Sequence, residues 1–472
     1  MDQFRAPIYE ALVRHRRRRY AGFHVPAHGG GRGASRVLRR EGGGLLALDL
    51  TELPGLDDLS CPTGPIARAQ ELAAGLYGAD RTFFLVNGST AGIQAMFMAC
   101  LGTGDKVLLP RHIHRSAVAG LVLTGADPVY LPADVDEWGL PLPPGEETIA
   151  ACLQRHQDLR AVFLVHPTYF GRSALSKGVV DRIHSRGIPL LVDEAHGALF
   201  PFHPDLPRPS LGQGADACVM SVHKMGGALT QASMLHVRRG LVDEGRLARA
   251  VKLLQTSSPS YLLLMSLDLA RRELALRGET LTRKAIGMAA QLRTGLRAIP
   301  GVEVQEWPPG RQDPLKVFFS LRSRGMDGYL LSSVLERKYR VNVELATATG
   351  VLAVVGLGTG LPEVRALLRA VRELAERKWK GIVYNIHPAF PPRRMTPREA
   401  WTAPWKTVRI KEAAGKVAAE TLSISPPGVP LLIQGEEVTP EMVEYMLELR
   451  KLRIPLLGDE GTLSTIKVVD EG

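Results

Sequence analysis

Two segments decide the fold: LLVDEAHG at residues 190–197 and ACVMSVHKMGG at residues 217–227. Each begins with a short, continuous apolar run, the pattern of a strand that is buried on both faces of a sheet. The first run ends at Asp193, and the second leads to Lys224. Ligands in open α/β sheets lie beyond the carboxyl ends of the strands. The two segments therefore predict a carboxylate and an amine directed at one site.

Helical and strand patterns alternate around these segments, over residues 61–300. Strands are expected at RTFFLVNG, KVLLP, DPVYLP and AVFLVHP, and helices at PIARAQELAAGLYG and TAGIQAMFMACLG. Two further helices are expected at residues 262–278 and 283–299. Alternating units with apolar strands predict an α/β fold with a doubly wound, mostly parallel sheet.

The rest of the chain divides into three parts. A glycine-rich N-terminal arm, residues 1–60, is expected to have little regular structure. Residues 301–385 indicate a small α/β domain, and a proline-rich joint leads to a C-terminal α+β domain at 386–472 with turns, a strand and a helix. With residues 61–300 as the large domain, the prediction is four consecutive domains.

Composition limits the class of protein. The chain has 472 residues, of which 45% are hydrophobic and 23% charged, and this favours a soluble globular protein. An apolar run of the roughly 20 residues that a spanning helix needs is absent from the sequence, as is a secretory leader, so the prediction is a cytoplasmic protein without membrane contact. The four cysteines lack disulfide or metal-ligand spacing. We expect them to be reduced and mostly buried, and expect no metal.

Basic residues exceed acidic ones, with a formal net charge of +11. The densest cluster is RHRRRR at residues 14–19, and Ile8, Leu12 and Val13 before it fit one face of a short helix. Few aromatic residues surround the cluster, and no nucleic-acid motif follows it. A solvated or subunit-contacting basic face is favoured, while anion or nucleic-acid binding is the alternative.

Polar residues follow most of the predicted strands. VNGSTAG places Gly88, Ser89 and Thr90 at the start of a helix, where free amides favour an anion such as phosphate; an ordinary helix cap would look the same. The other candidates at strand ends are His112 and His114, Thr168 and Tyr169, Glu194 and His196, and Ser221 and His223. Singly, each is as compatible with a structural role as with a functional one.

Together these residues follow the order found in fold-type-I pyridoxal phosphate enzymes, in which a Ser-x-His-Lys run often presents the lysine that carries the cofactor. The chain further resembles the Orn/Lys/Arg decarboxylase family, in particular its short bacterial arginine and lysine decarboxylases. The segments that carry this resemblance extend over nearly the whole chain: FHVPAHGGG, LDLTELPGLDDL, GADRTFFLVNGSTAG, HPTYFG, LVDEAHG, SVHKMGG, LTQASML, TSSPSYLLLMSLDLAR and SPPGVPLLIQGE.

The chemistry follows from the residues and the resemblance. Lys224 would bind the cofactor and then move protons, and Asp193 would keep the pyridine nitrogen protonated. The resemblance implies that His114 stacks on the ring, that His196 supports it, and that Thr168 belongs to the site. It also implies that Ser221 and His223 join Ser89 and Thr90 at the phosphate. TSSPS resembles the family segment that lends a hydroxyl to the phosphate across a dimer interface, which implies a homodimer with Ser257 or Ser258 in that role.

Reaction and substrate are less determined. The small-domain stretch VELATATGVLAVVGLG lacks the arginine with which aminotransferases commonly fix the substrate carboxylate. This absence favours decarboxylation over transamination or aldol cleavage only mildly, and the preference for decarboxylation rests mainly on the resemblance. Arginine is favoured over lysine and lysine over ornithine, as a step of polyamine synthesis. The carboxylates that could meet a distal cation are Glu52, Asp57, Asp58 and Glu344, although Asp57 and Asp58 could simply cap a turn. FHVPAHGGG also departs from the family's PGHKKG, which leaves the choice of amino acid open.

Overall fold

The computed structural model describes residues 2–132, 134–306, 308, 310–380, 390–424, 429–451, 454, 456–459 and 464–470. Residues 387–389 of the proline-rich joint and 425–428 of the C-terminal segment SPPGVPLLIQGE lie outside the described residues. Over the described part of the chain, no helix has the length and apolar character needed to cross a membrane.

Fifteen α-helices are found in the described residues. They are α1 Pro7–Arg17, α2 Arg36–Gly42, α3 Pro65–Tyr77, α4 Gly88–Cys100, α5 Arg115–Thr124, α6 Glu146–Arg155, α7 Lys177–His184, α8 Ser210–Gln213, α9 Val222–Met225, α10 Glu244–Leu254, α11 Tyr261–Arg297, α12 Gly328–Tyr339, α13 Leu361–Ala375, α14 Pro397–Thr402 and α15 Pro440–Lys451.

Sixteen strands accompany these helices in the same described ranges. They are β1 Arg81–Leu85, β2 Lys106–Pro110, β3 Asp127–Leu131, β4 Leu159–Val165, β5 Leu190–Asp193, β6 Ala217–Met220, β7 Ser233–Val237, β8 Glu303–Val304, β9 Lys316–Ser320, β10 Leu345–Ala346, β11 Val351–Val354, β12 Trp405–Arg409, β13 Leu422–Ile424, β14 Val429–Leu432, β15 Leu456–Leu457 and β16 Thr465–Val469. The strands expected between residues 81 and 220 are all present.

The chain forms two compact units, each assembled from three segments. Unit 1 comprises Met1–Cys100, Pro189–Pro204 and Arg208–Thr282. Unit 2 comprises Leu101–Ile188, Asp205–Pro207 and Arg283–Gly472. The four consecutive domains proposed from the sequence stay a prediction.

Most strand pairs from β2 to β6 are parallel, as the apolar strands predicted. Unit 1 contains the strand order β1-β7-β6-β5, and unit 2 contains the order β4-β2-β3. Strand β5 is parallel to β6, and β2 is parallel to both β3 and β4. Strand β7 is the exception, because it runs antiparallel to β1 and β6.

Helix α4 lies close against the unit 1 strands because Gly92 has no side chain. A Cβ at Gly92 would come within 2.6 Å of the Val219 side chain and 2.8 Å of the Leu85 side chain. Val219 lies in β6 and Leu85 ends β1. The first turns of α4 therefore pack against β6 and the end of β1, next to the candidate site.

The N-terminal arm contains more helix than its glycines suggested, and its first helix is anchored to α11. Ile8 and Leu12 are buried on one face of α1, as their spacing predicted. The Ile8 amide donates to Oδ2 of Asp268 at 2.9 Å, and Arg271 donates to the carbonyl of Gln3 at 3.0 Å. The basic residues that follow, from 14 to 19, are mostly exposed.

Two sequence expectations are wrong. The helices expected at 262–278 and 283–299 form one 37-residue helix, α11. Gly278 does not interrupt it, because the missing side chain makes room for Phe202, whose ring would lie 2.5 Å from a Cβ at this position. The cysteines are free, as expected, but only Cys218 is buried; Cys61 is exposed and the other two are intermediate.

Unit 2 also contains the small sheets. Strands β10-β11-β9-β8 form an antiparallel sheet, whose segment of the chain includes helices α12 and α13, in keeping with the small α/β pattern expected there. Towards the C-terminus lie a two-stranded sheet, β12-β16, and a three-stranded sheet, β14-β13-β15. The sequence predicted one strand here. The others were not predicted, because most of them are short and form only in contact with distant segments.

Candidate active site

Lys224 lies in α9, a single turn of helix directly after β6. The backbone of the turn is fixed, since the Lys224 amide donates to the carbonyl of Ser221 at 3.0 Å and the His223 amide donates to that of Ala232 at 3.1 Å. The Lys224 side chain is exposed, and its Nζ is 3.3 Å from Nε2 of His196. An amine is therefore presented at the end of a strand, beside an imidazole.

Asp193 ends β5, the parallel neighbour of β6. It is 6% exposed, and its Oδ1 accepts a hydrogen bond from the Ala195 amide at 3.1 Å. Burial raises the pKa of Asp193 above its usual value, and the positive charge of Lys224 opposes that rise. The structure thus brings Asp193, His196 and Lys224 together at the ends of adjacent parallel strands.

The candidate phosphate site is at the N-terminus of α4. Gly88 has φ of +74°, a left-handed conformation that suits glycine and lets the chain turn from β1 into the helix. The Ser221 hydroxyl, which is fully buried, donates to the Ser89 hydroxyl at 2.8 Å. Thr90 follows in the first turn and is exposed. Hydroxyls from two loops therefore meet beside the free amides of a 13-residue helix.

His223 has a defined protonation state. Its Nδ1 lies 3.0 Å from the carbonyl oxygen of Ala232, so this nitrogen carries the proton and Nε2 is left as the acceptor. Burial lowers the pKa of His223, the hydrogen bond to Ala232 opposes this shift, and the charge of Lys224 adds to it.

Two of the expected cofactor residues lie in unit 2. His114 is the N-cap of α5, where its side chain accepts from the Ser116 amide at 3.2 Å and contacts the Ser116 hydroxyl at 2.8 Å. Thr168 is 1% exposed, and its hydroxyl accepts from the Arg172 amide at 3.1 Å in the turn after β4. Both residues follow strands, as the sequence predicted, and their contribution to the cofactor site stays a prediction.

Ser257 and Ser258 are exposed in the connection between α10 and α11. Ser257 lines a surface cavity with Arg81, Lys252 and Thr256. Neither hydroxyl is committed to a hydrogen bond with a described residue. Their accessibility is compatible with a role towards a second subunit.

The candidate substrate carboxylates differ in what they already bind. Asp57 has φ of +82°, and its two oxygens accept from amides at and before the start of α3, with the Gly64 amide at 2.7 Å and the Ile66 amide at 2.9 Å. This is the capping role that the sequence left open. The Asp58 carboxylate accepts from the Ser60 amide, at 2.7 Å.

The remaining two carboxylates are less committed to the backbone. Glu52 accepts a short hydrogen bond from Thr51, and its other oxygen, Oε1, is buried with no hydrogen-bond partner among the described residues. Glu344 is exposed and accepts from the phenol of Tyr169, in the HPTYFG turn. Burial and the Glu344 charge raise the pKa of this phenol, so Tyr169 remains a donor.

Sequence reasoning named Glu194 as a candidate but did not predict what it binds, and it missed Arg111. Glu194, next to Asp193, is fully buried and bonded to both the amide and the hydroxyl of Ser210, each at 2.8 Å. Arg111, which directly precedes HIHRS, forms a buried ion pair with Glu436. The sequence signals were an arginine at the end of an apolar strand and an acidic residue after the apolar run VPLLI, but nothing in the sequence pairs them.

The residues of unit 1 fit pyridoxal phosphate. The cofactor needs an amine, a buried carboxylate for its pyridine nitrogen, and several donors for its phosphate. Lys224, Asp193, and the hydroxyls at the start of α4 are of these types. Together with the mostly parallel sheet, they define the class as a fold-type-I pyridoxal phosphate enzyme.

Comparison with known proteins gives the family. The Orn/Lys/Arg decarboxylase major domain matches residues 6–321, and the C-terminal domain of the same family matches residues 381–458. The chain belongs to the Orn/Lys/Arg decarboxylase family, and it is a pyridoxal phosphate-dependent decarboxylase of basic amino acids. The family, the cofactor and the enzyme class expected from the sequence are confirmed.

Three relatives illustrate the similarity. An arginine decarboxylase of Bacillus subtilis is 36% identical, with 100% of this chain and 99% of the relative covered. An arginine decarboxylase of Halalkalibacterium halodurans is 37% identical, with 99% and 98% covered. The solved structure of lysine decarboxylase A from Pseudomonas aeruginosa has a TM-score of 0.84 at 22% identity, covers 98% of this chain and 80% of its own, and confirms the fold.

Proposed function

We propose that this enzyme converts arginine to agmatine, with lysine to cadaverine as the next best reaction and ornithine to putrescine third, and that its product enters polyamine synthesis. The observation that carries the substrate assignment is the full-length similarity, at 36% and 37% identity, to two proteins named arginine decarboxylase. No observation favours an aminotransferase or an aldolase. The cytoplasmic location and the absence of a nucleic-acid partner stay predictions.

Lys224 is the central residue of the proposed mechanism. When bound, pyridoxal phosphate supplies an electron sink for the pair of electrons left behind as carbon dioxide departs. The Lys224 amine would hold the cofactor, release it to the α-amine of the substrate, and then deliver a proton to the substrate's α-carbon. His196, with Nε2 at 3.3 Å, would keep the released amine oriented at the site.

Asp193 would hold a proton on the pyridine nitrogen. Burial penalises its negative charge, so a cationic partner is needed to stabilise it. A protonated pyridine nitrogen is such a partner, and the pairing would serve both groups. Ser89, Thr90, Ser221 and His223 would bind the phosphate, while His114 would stack on the ring and Thr168 would contribute to the cofactor site.

Substrate recognition requires a carboxylate for the distal guanidinium. Of the four proposed carboxylates, Glu344 and Glu52 are the least committed to backbone amides, whereas Asp57 already accepts several of them. We place the arm segment that contains Glu52, Asp57 and Asp58 at the substrate pocket of a partner subunit. A homodimer, or a larger assembly of dimers, would then be the active form, with Ser257 or Ser258 reaching the partner's phosphate.

The decisive test is carbon dioxide release from arginine, lysine and ornithine in parallel, with the visible absorbance of the bound cofactor recorded before and after each addition. We expect release mainly from arginine and none with Lys224→Ala. Release mainly from lysine would overturn the substrate ranking. Cofactor absorbance without release from any of the three would overturn the substrate assignment made here.

A further inference from the structure

The C-terminal domain binds the loop of His114 through a buried ion pair. Nε of Arg111 donates to Oε1 of Glu436 at 2.9 Å, and Nη2 donates to Oε2 at 2.7 Å. Both side chains are only 2% exposed. This is the bidentate fork that an arginine forms with a carboxylate, and it fixes orientation as well as distance.

Glu436 is itself held rigidly. Its amide donates to the carbonyl of Ile433 at 3.0 Å, and its carbonyl accepts from the amide of Ala418 at 2.9 Å. Its side-chain Oε2 also accepts from the Ile433 amide, at 2.7 Å. The carboxylate is therefore a fixed point of the C-terminal domain.

Arg111 has little freedom to leave this position. Its Nη1 donates to the carbonyl of Pro430 at 3.0 Å, and Nη2 donates to that of Leu431 at 3.3 Å. The guanidinium also lies over the rings of Phe390, at 5.0 Å, and Tyr130, at 5.8 Å. One end of the loop between β2 and α5 is thus attached to the C-terminal domain.

The other end of the same loop is His114, the N-cap of α5. Between Arg111 and His114 lie only His112 and Ile113, which are 8% and 0% exposed. Burial, and then the charge of Arg111, lower the pKa of His112 to about 4, so its ring packs as a neutral group. A loop this short and this buried transmits a displacement of Arg111 to His114.

The C-terminal domain also holds the far end of α5. Gly125 ends this helix, and the Arg398 side chain lies 3.0 Å from where a Cβ at Gly125 would be. Asp127, at the start of β3, pairs with Arg393 at 2.7 Å. C-terminal residues therefore contact the segments that come before and after α5.

We propose that Glu436 is a positioning residue for His114: through Arg111 it fixes the loop from which the imidazole meets the cofactor ring. The inference rests on the proposed role of His114 and deepens it, because it gives the C-terminal domain a part in cofactor binding. Glu436 acts through Arg111 and is not itself a catalytic residue.

Glu437 provides a matched control. It is adjacent to Glu436 and also pairs with an arginine, Arg394, but that pair is more exposed, at 60% for Arg394 and 21% for Glu437. The variants Glu436→Gln and Glu437→Gln thus remove one charge each from neighbouring positions. Only the first weakens the attachment of the His114 loop.

The first measurement is hydrogen–deuterium exchange of the cofactor-free protein. We expect peptides from residues 106–124 to exchange faster in Glu436→Gln and at the wild-type rate in Glu437→Gln. Titration with pyridoxal phosphate, followed by absorbance, should then give a dissociation constant raised about tenfold or more for Glu436→Gln, since displaced binding groups lose much of their effect. Unchanged exchange and unchanged affinity would overturn the proposal.

A double-mutant cycle with His114→Ala separates positioning from general stability. If Glu436 acts through His114, Glu436→Gln should change cofactor affinity less than about twofold in the His114→Ala protein. An equal loss in both backgrounds, or no effect of His114→Ala itself, would overturn the inference. Failure of the proposed function is a different result, namely wild-type protein that releases no carbon dioxide from any basic amino acid.

If Glu436→Gln gives too little folded protein, Arg111→Lys provides a second test of the proposal. Lysine keeps the positive charge beside Glu436 but cannot form the fork. We expect the same faster exchange at residues 106–124 and the same dependence on His114, with a smaller loss of affinity. Wild-type behaviour of Arg111→Lys in both measurements would count against the proposal.

Discussion

At the end of β5, Asp193 and Glu194 are adjacent and both buried, whereas after β14 Glu436 is buried and its neighbour Glu437 remains partly exposed. Successive residues of an extended segment point to opposite sides. Asp193 accordingly interacts with Lys224, and Glu194 with Ser210 on the other side. The two pairs look alike in sequence, but Asp193 interacts with Lys224, whereas Glu436 forms an ion pair with Arg111.

The partners of the two buried glutamates differ as well. Glu436 meets a guanidinium, which opposes the rise that burial causes in the pKa of this carboxyl. Glu194 has only hydroxyl, thiol and amide donors among the described residues, and burial raises its pKa to about 7. A carboxylate can therefore be buried in this fold either as half of an ion pair or as a group that is partly protonated near neutral pH. The following predictions separate these cases.

The largest effect is expected at Asp193. Asp193→Asn should lower kcat on the order of 10²–10³-fold, because a neutral amide cannot keep the pyridine nitrogen protonated. Steady-state decarboxylation with saturating pyridoxal phosphate measures this. Glu194→Gln is the control, and we expect it to retain kcat within about threefold, since Glu194 faces Ser210. Similar losses in both variants would mean that the strand end is simply sensitive to any change.

Loss of the buried Arg111–Glu436 ion pair should lower stability more than loss of the more exposed Arg394–Glu437 pair. Glu436→Ala leaves the Arg111 charge buried and unpaired, so we expect the free energy of unfolding to fall by about 3–5 kcal/mol. Glu437→Ala should cost less than about 1 kcal/mol. Urea denaturation of the cofactor-free proteins compares the two.

A double replacement sharpens this test of the ion pair. Arg111→Met with Glu436→Leu removes both charges, and most of the stability should return. Activity should not return with it, because the apolar pair does not reproduce the directed fork that holds the His114 loop.

Glu194 should make stability depend on pH. Its pKa is raised from 4.5 to about 7 in the folded protein, mainly by burial. The stability it contributes is therefore fully present below about pH 4.5 and is lost as the pH rises through 7. At about 1.4 kcal/mol for each pKa unit, the loss is about 3 kcal/mol. Urea denaturation at pH 5 and pH 8 should show this difference in wild type relative to Glu194→Gln, and equal slopes would contradict it.

The smallest effect is expected in the third acidic pair, Asp57 and Asp58. Asp57 caps the start of α3, so Asp57→Ala should cost about 1 kcal/mol, whereas Asp58→Ala should be nearly neutral. Thermal melting measures this difference. The KM for arginine, measured on the same two variants, tests the arm as a substrate contact: if neither changes KM, Asp57 and Asp58 are not part of the substrate pocket.

Much of this protein could be predicted from local sequence. The strands from β1 to β6 were predicted because each is a short apolar run, which is a signal contained within a few residues. Lys224 and Asp193 were identified because both follow such runs, and the ends of parallel neighbours meet at one edge. The continuous helix α11 was not predicted, because Gly278 reads as a break until Phe202 is seen to occupy the space beside it.

The sequence by itself determined the α/β class and the positions of the lysine and the aspartate, since these depend on periodicity and on residue types at strand ends. The cofactor and the reaction class came from its resemblance to a known family. Only the tertiary structure decided which members of the acidic pairs are buried and what they bind. Arg111 and Glu436 are separated by more than 300 residues, and their hydrogen bonds exist only once the C-terminal domain has folded onto the loop after β2. The role of a buried charged side chain depends on the group it pairs with, and a partner that is distant in sequence leaves no local sequence pattern.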